Sequence, residues 1–289
     1  TKVFCFGFGQ VAESFINKLI YEKKDFDLSI TSRKDTYQIE INNLKITSYQ
    51  FNNDKSDSSI IKKLEEANYI LISIPPIDGK DIVANYIDTN LKKITNCKWI
   101  TYLSATSVYG DHNGEWVNEK SATKPTSSNG LSRLEAENIW KSLSLKNNYP
   151  LQIFRLSGIY SNEFNILKRL QNGRTQLVDK KNHFFSRIHV EDIANILFSS
   201  FDNFKNNEIY NICDDKPASQ IEVAAYGAKL LKLEQPNPVK LEEVESEMLR
   251  NFYKDSKKVD NKKMKTFFKY NLKFPTYVEG LDYIFNNNI

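Results

Sequence analysis

The stretch Val3-Phe4-Cys5-Phe6-Gly7-Phe8-Gly9-Gln10-Val11-Ala12 decides how the rest of the chain is read. Four apolar residues form a short buried strand, a glycine-rich turn follows, and Val11, Phe15 and Leu19 then recur at helical spacing beside Ala12 and Ile16. A dinucleotide pyrophosphate needs that order. Gly7 makes the tight turn, Gly9 lets the backbone approach the phosphates, and the small Ala12 lets helix pack on strand. The helix N-terminus at Gln10 and Val11 then offers free N–H groups and a positive dipole end to the anion. The motif is short, and a strand-to-helix turn without a ligand can carry it too.

Working outward, branched and aromatic runs at Asp27–Ser32, Ile46–Phe51, Tyr69–Ile74, Trp99–Ser104, Leu151–Ser157 and Glu208–Cys213 predict further strands. Helical patterns fall between them at Ile60–Ala67, Ile82–Lys93, Leu131–Leu143 and Val190–Phe201. Nearly continuous apolar strands alternating with helices predict an α/β fold, a doubly wound parallel Rossmann sheet covered on both faces. Pro75-Pro76 should end the fourth strand, because proline supplies no ladder N–H. From about Ser161 the rhythm breaks into turn-rich segments and shorter helices. The expected division is a Rossmann domain over 1–160 and a smaller, irregular C-terminal α/β lobe over 161–289, with helix 190–201 packing back on the sheet.

At the end of the second strand an NAD site usually carries Asp or Glu for the ribose 2′-hydroxyl. This chain has Ser32-Arg33-Lys34 there, and Asp35 only further along the loop. A hydroxyl followed by two cations attracts a 2′-phosphate, so NADP(H) is expected over NAD(H).

Composition narrows the function classes. The 289 residues carry 40 Lys and Arg against 36 Asp and Glu, a net charge of +4 that calls for neither nucleic acid nor an anionic membrane. No apolar run is long enough to span a bilayer, and no leader-like segment opens the sequence, so a cytoplasmic location is expected. Cys5, Cys97 and Cys213 are too few and too far apart for a disulfide framework or a zinc site, and no metal is expected.

After the fifth strand come Ala105-Thr106-Ser107-Val108-Tyr109-Gly110-Asp111, then Phe154-Arg155-Leu156-Ser157-Gly158-Ile159-Tyr160, Arg187-Ile188-His189-Val190-Glu191-Asp192-Ile193-Ala194 and Ile209-Tyr210-Asn211-Ile212. This set resembles the extended short-chain dehydrogenases/reductases of the NAD-dependent epimerase/dehydratase type. Glu115-Trp116-Val117-Asn118-Glu119, Asp214-Asp215-Lys216-Pro217-Ala218-Ser219 and Phe274-Pro275-Thr276-Tyr277-Val278-Glu279-Gly280-Leu281 narrow the likeness to an atypical, YeeZ-like branch. The resemblance implies an NAD(P)-binding Rossmann lobe, a substrate lobe for a small molecule, and a homodimer through helices 82–93 and 131–143, with Tyr86, Leu91 or Trp140 on their outer faces.

Active members of that group use a Ser or Thr, a Tyr and a Lys. Here the three positions hold Ala105, Asn129 and Arg133. Asn129 has no titratable proton, and Arg133 keeps its charge without acting as an acid near neutral pH. The catalytic candidates by position are therefore Asn129, Arg133, Thr106 and Tyr109, with His112 and Glu115 as a further pair on the same loop. By position, Ile74, Pro75, Ser104 and Arg133 join Gly7, Gly9, Gln10, Val11, Ala12, Ser32, Arg33 and Lys34 as cofactor-binding candidates. Arg155 and Arg187 are the substrate-binding candidates. Arg187 stands two residues after Phe185, the position where nucleotide-sugar enzymes often place an Arg, and in an extended strand i and i+2 share a face. Two functions follow. One is an oxidoreductase or epimerase-like enzyme with an atypical site; the other is a catalytically inactive NADP(H)-binding sensor or regulatory protein.

Overall fold

The computed structural model describes residues 1–22, 25–91 and 94–288. In chain order the elements are β1 (Lys2–Phe6), α1 (Gln10–Tyr21), β2 (Asp27–Ser32), β3 (Tyr37–Ile41), β4 (Leu44–Gln50), α2 (Ser59–Glu66), β5 (Tyr69–Ile72), α3 (Ile82–Asn90) and β6 (Trp99–Ala105). Then follow β7 (Trp116–Val117), α4 (Ser128–Asn147), β8 (Leu151–Leu156), β9 (Gly158–Tyr160), α5 (Ile166–Gln171), β10 (Arg187–His189), α6 (Val190–Ser199) and β11 (Glu208–Ile212). The last are α7 (Gln220–Leu231), α8 (Glu247–Phe252), β12 (Lys258–Val259), α9 (Lys262–Phe268) and α10 (Tyr277–Asn288).

Eight strands form one sheet in the order β11-β8-β6-β5-β1-β2-β4-β3. The pairs β4–β2, β2–β1, β1–β5 and β5–β6 are parallel, and β3 closes the edge antiparallel to β4. From β1 the chain builds outward through β2 and β4, then returns to β5 on the other side of β1. That reversal places a topological switch point at the carboxyl end of β1, where open α/β sheets bind ligands. The doubly wound sheet with an irregular C-terminal α/β part agrees with the expectation.

The sequence-based bounds differ in detail. The fourth strand stops at Ile72 rather than Ile74, short of Pro75-Pro76. The helix expected over 82–93 ends at Asn90, and Lys92 and Lys93 lie outside the described residues. Strand β3 had no counterpart in the reading above. Asn42 and Asn43 take φ values of 49° and 66°, the mirror-image turn that a tight β3–β4 hairpin needs.

The chain divides into two compact units. The first is Thr1–Ala105, Leu131–Arg155 and Ile193–Tyr210; the second is Thr106–Gly130, Leu156–Asp192 and Asn211–Ile289. In the first, Phe4, Phe6, Ile70, Ile72, Ile100 and Tyr102 cover one sheet face and pack against α2, α3 and α4. Phe201, just past α6, lies 5.9 Å from Phe15, 4.1 Å from Tyr69 and 5.7 Å from Trp99 between ring centroids. Trp140 and Leu91, expected on an outer helix face, are instead buried in this core. Trp140 Nε1 donates to Asp81 at 2.8 Å, because a buried indole N–H needs an acceptor. The large apolar side chains exposed on α4 are Leu131, Ile139 and Leu145.

The second unit holds two two-stranded parallel sheets, β9–β10 and β7–β12. Its own core packs α5, α7 and α10 around Leu167, Ala224 and Ile284. Gly280 lets α10 close on Tyr160, since a Cβ there would fall 2.0 Å from the tyrosine oxygen. No helix among the described residues is long and apolar enough to cross a membrane.

Candidate functional site

The turn after β1 is built around Gly7. Its φ of +91° excludes ordinary L side chains, and a Cβ would lie 3.0 Å from Ile74 Cγ1. Its N–H donates to Thr31 Oγ1 at 2.8 Å, which ties the turn to β2. Ile74 thus flanks the turn and is partly buried, and Pro75 after it is exposed.

Gly9 caps α1 with no side-chain hydrogen bond to the helix. The first N–H groups of α1 therefore face outward with their share of the helix dipole. A Cβ on Gly9 would meet nothing within 4 Å. Beside it, Gln10 Oε1 is buried without a hydrogen-bond partner in the structure. Val11 and Ala12 are buried and seat the helix on the sheet. Open space at Gly9 and amides without a side-chain cap are features a pyrophosphate-bearing cofactor fits.

At the end of β2 the Ser32 hydroxyl is buried without a partner. Arg33 and Lys34 are exposed. The Asp35 carboxylate accepts from Gln50 Nε2 at 2.9 Å.

Arg133 and Asn129 stand one turn apart on α4, hence on one face. Asn129 is exposed. Arg133 Nη1 donates to the Leu103 carbonyl at 2.6 Å, while its Nε is buried without a partner. Burial pushes the Tyr102 phenol up, and the Arg133 charge beside it works in the opposite direction.

Ser104, expected at the cofactor, is buried and donates to Glu137 Oε1 at 2.6 Å. Arg155, expected at the substrate, is also buried, and its Nε and Nη2 donate to Glu137 Oε1 and Oε2 at 2.9 and 2.7 Å. A forked pair of this kind occupies the guanidinium edge that would grip a ligand. Glu137, four residues beyond Arg133, was not among the residues singled out from sequence.

In the second unit Thr106 begins a short 3₁₀ turn and is half-buried. Tyr109 ends that turn fully buried, with its hydroxyl donating to Asn211 Oδ1 at 2.7 Å. The residue serves as an anchor of its loop. His112 Nε2 lies 3.1 Å from both the Tyr109 and Ala122 carbonyls, so the ring staples the same loop. Glu115 is exposed on it. His189 is buried among Tyr160 and Phe274, and burial pushes its imidazole down to about 4, which keeps it neutral.

Arg187 does line a ligand-sized space, a cavity of about 730 Å³ within the second unit whose walls include Tyr160, Arg169, Arg174, Phe185 and Phe252. Its Nη1 donates to the Phe185 and Ala218 carbonyls at 2.8 and 3.0 Å and its Nη2 to Gln220 Oε1 at 2.8 Å. The guanidinium sits 4.9 Å from the centre of the Phe185 ring. Burial pushes it down to about 10, with Asp214 partly offsetting the loss. Among the described residues no cluster of His, Cys, Asp and Glu side chains could hold a metal ion.

A family model described as the NAD dependent epimerase/dehydratase family matches residues 82–213. No curated protein matches the chain. Among solved structures, a functionally unknown conserved protein from Silicibacter pomeroyi DSS is 30% identical, with a TM-score of 0.86 over 98% of this chain and 97% of that one. UDP-N-acetylglucosamine 4-epimerase from Bacillus cereus is 16% identical, with a TM-score of 0.70 over 99% and 98% of the two chains. UDP-glucuronic acid 4-epimerase from the same organism, in complex with NAD, is 15% identical, with a TM-score of 0.73 over 98% and 96%. The epimerase likenesses at that identity speak for the fold. Taken with the model match, the chain-long likeness and the glycine turn at the switch point of the sheet, the chain belongs to the NAD-dependent epimerase/dehydratase family.

Proposed function

We propose that the protein is an NAD(P)-binding oxidoreductase or epimerase-like enzyme acting on a small carbonyl, alcohol or sugar substrate. The dinucleotide is held at Gly7, Gly9, Gln10, Val11 and Ala12, and the substrate in the cavity of the second unit. The observation that carries this reading is the N-terminus of α1 at Gly9, without a side-chain cap and with open space where a Cβ would stand. When bound, the nicotinamide supplies a hydride acceptor or donor. In this reading Arg133 binds the ribose hydroxyls. Neither Asn129 nor Arg133 can move a proton as a Tyr–Lys pair does. A cytoplasmic location belongs to the same reading, because Cys5, Cys97 and Cys213 are free thiols, the usual state in a reducing compartment. So does a homodimer, for which Leu131, Ile139 and Leu145 of α4 supply exposed apolar surface; light scattering on the concentrated protein checks it.

Within this reading NADP(H) binds tighter than NAD(H). Ser32, Arg33 and Lys34 stand where an NAD site carries a carboxylate, and Gln50 engages Asp35. One charge-assisted contact to the 2′-phosphate is worth roughly 1.5–3 kcal/mol, or about tenfold or more in affinity. Calorimetric titration should show that margin, and Arg33→Ala should erase it for NADP(H) while leaving NAD(H) unchanged. Equal affinities in the wild type, unmoved by the substitution, would refute the preference.

The substitutions at Ala105, Asn129 and Arg133 favour a second reading, a catalytically inactive NADP(H)-binding sensor or regulatory protein. It predicts cofactor binding with no hydride exchange toward any carbonyl or alcohol. Measured turnover that depends on the cofactor decides against it.

A further inference from the structure

The cavity of the second unit carries an uneven chemistry. Lys168, Arg169, Arg174 and Arg187 contribute four cations to its walls, and Glu163 is the sole acid among the lining residues. Glu163 is already paired with Lys168 at 2.7 Å. Arg169 and Arg174 form no ion pair among the described residues and stand exposed at the rim.

Away from these cations the wall is apolar. Val223, Leu249, Phe252 and Leu281 line it, and Phe164 and Met248 stand at it 65% and 83% exposed. Large apolar side chains left in water beside a cavity gain by being covered.

Some neutral polar groups of the wall are engaged within the protein. Asn165 caps α5 and donates to the Ser161 and Asn162 carbonyls. Gln220 Oε1 receives Arg187, and Ser246 Oγ receives Leu249 N–H. The hydroxyls of Tyr160, Thr175 and Tyr253 are each buried without a hydrogen-bond partner.

We propose that the cavity takes an amphipathic anion, a carboxylate or phosphate head at Arg169 and Arg174 with an apolar body along Leu249, Phe252, Phe164 and Met248. This rests on the reading of the protein as an NAD(P)-dependent enzyme whose substrate lies in the second unit. The apolar body fills the cavity, and Thr175 serves one polar atom near the head.

The test uses 8-anilinonaphthalene-1-sulfonate as a fluorescent probe on the folded protein, with decanoate, decyl phosphate and UDP-glucuronic acid as competitors. Single-site uptake of the probe is expected, with displacement by decanoate or decyl phosphate and none by UDP-glucuronic acid. Whichever of the first two displaces better names the head group. The double charge reversal Arg169→Glu, Arg174→Glu should weaken the probe by about tenfold or more. Its thermal melt and NADPH affinity should match the wild type, which separates a lost site from a lost fold. Displacement by UDP-glucuronic acid alone, or a charge reversal without effect on probe binding, overturns the proposal. A wild type that captures the amphiphiles but no dinucleotide leaves this inference standing and removes the functional reading beneath it.

Discussion

Replacing Glu137 with Ala should destabilise the first unit by about 3–5 kcal/mol, a large share of the net stability of a typical domain. The carboxylate is fully buried and collects Ser104 Oγ, Arg155 Nε and Arg155 Nη2 at 2.6, 2.9 and 2.7 Å. The pair ties α4 to β6 and β8 of the central sheet. Removing the acid strands the buried guanidinium of Arg155, and that loss, more than the Coulomb energy of the pair, makes the change costly. Lys141 approaches the same carboxylate at 3.7 Å from a partly exposed position, so Lys141→Ala should cost less than about 1 kcal/mol. The double replacement Glu137→Leu, Arg155→Met removes both charges together and should recover most of the loss. Urea unfolding of the four proteins reads all three effects. A Glu137→Ala change of less than about 1 kcal/mol would show that the pair does not hold these elements together.

The second large effect concerns chemistry. With Asn129 and Arg133 at the Tyr and Lys positions, proton transfer by a tyrosine is missing, and general acid–base catalysis contributes roughly 10²–10⁴-fold. The triple change Ala105→Ser, Asn129→Tyr, Arg133→Lys should therefore raise cofactor-dependent turnover of a responsive carbonyl by up to about that factor. Asn129→Ala should leave the wild-type rate within about threefold, since an exposed amide supplies no proton. His112→Ala should act through stability, because the ring is bound to two backbone carbonyls of its own loop. Robust native turnover abolished by Asn129→Ala alone contradicts this assignment of the site.

The Rossmann half of the fold was legible because its signals are local. Buried strands are continuous apolar runs, and the Gly7 turn and Pro75-Pro76 mark their ends in the sequence itself. Strand β3 was passed over because its side chains are largely exposed and lack a strong apolar alternation, although Asn42-Asn43 is a hairpin signal. The glycine turn after β1 was legible for the same local reason. The contacts of Ser104 and Arg155 with Glu137 are not legible, because the packing of α4 on the sheet brings Glu137 to both and no spacing in the chain announces it. The cavity was invisible for a related reason: its walls come from α5, the strand at Phe185 and Arg187, α7, α8 and α10, segments spread over more than a hundred residues.

The central claim is that a dinucleotide binds at the turn after β1, and substitution at Gly9 tests it most directly. Gly9 has an ordinary φ of −84°, and a Cβ there would touch nothing in the protein. Gly9→Val should therefore leave the thermal melt of the cofactor-free protein close to that of the wild type. The same branched side chain would stand where the pyrophosphate must approach the backbone, so NADPH affinity should fall by about tenfold or more. NADPH fluorescence titration of the two proteins measures it. Tight binding in the wild type, lost in Gly9→Val at unchanged stability, is the result expected; equal NADPH affinity in the two proteins would contradict the account.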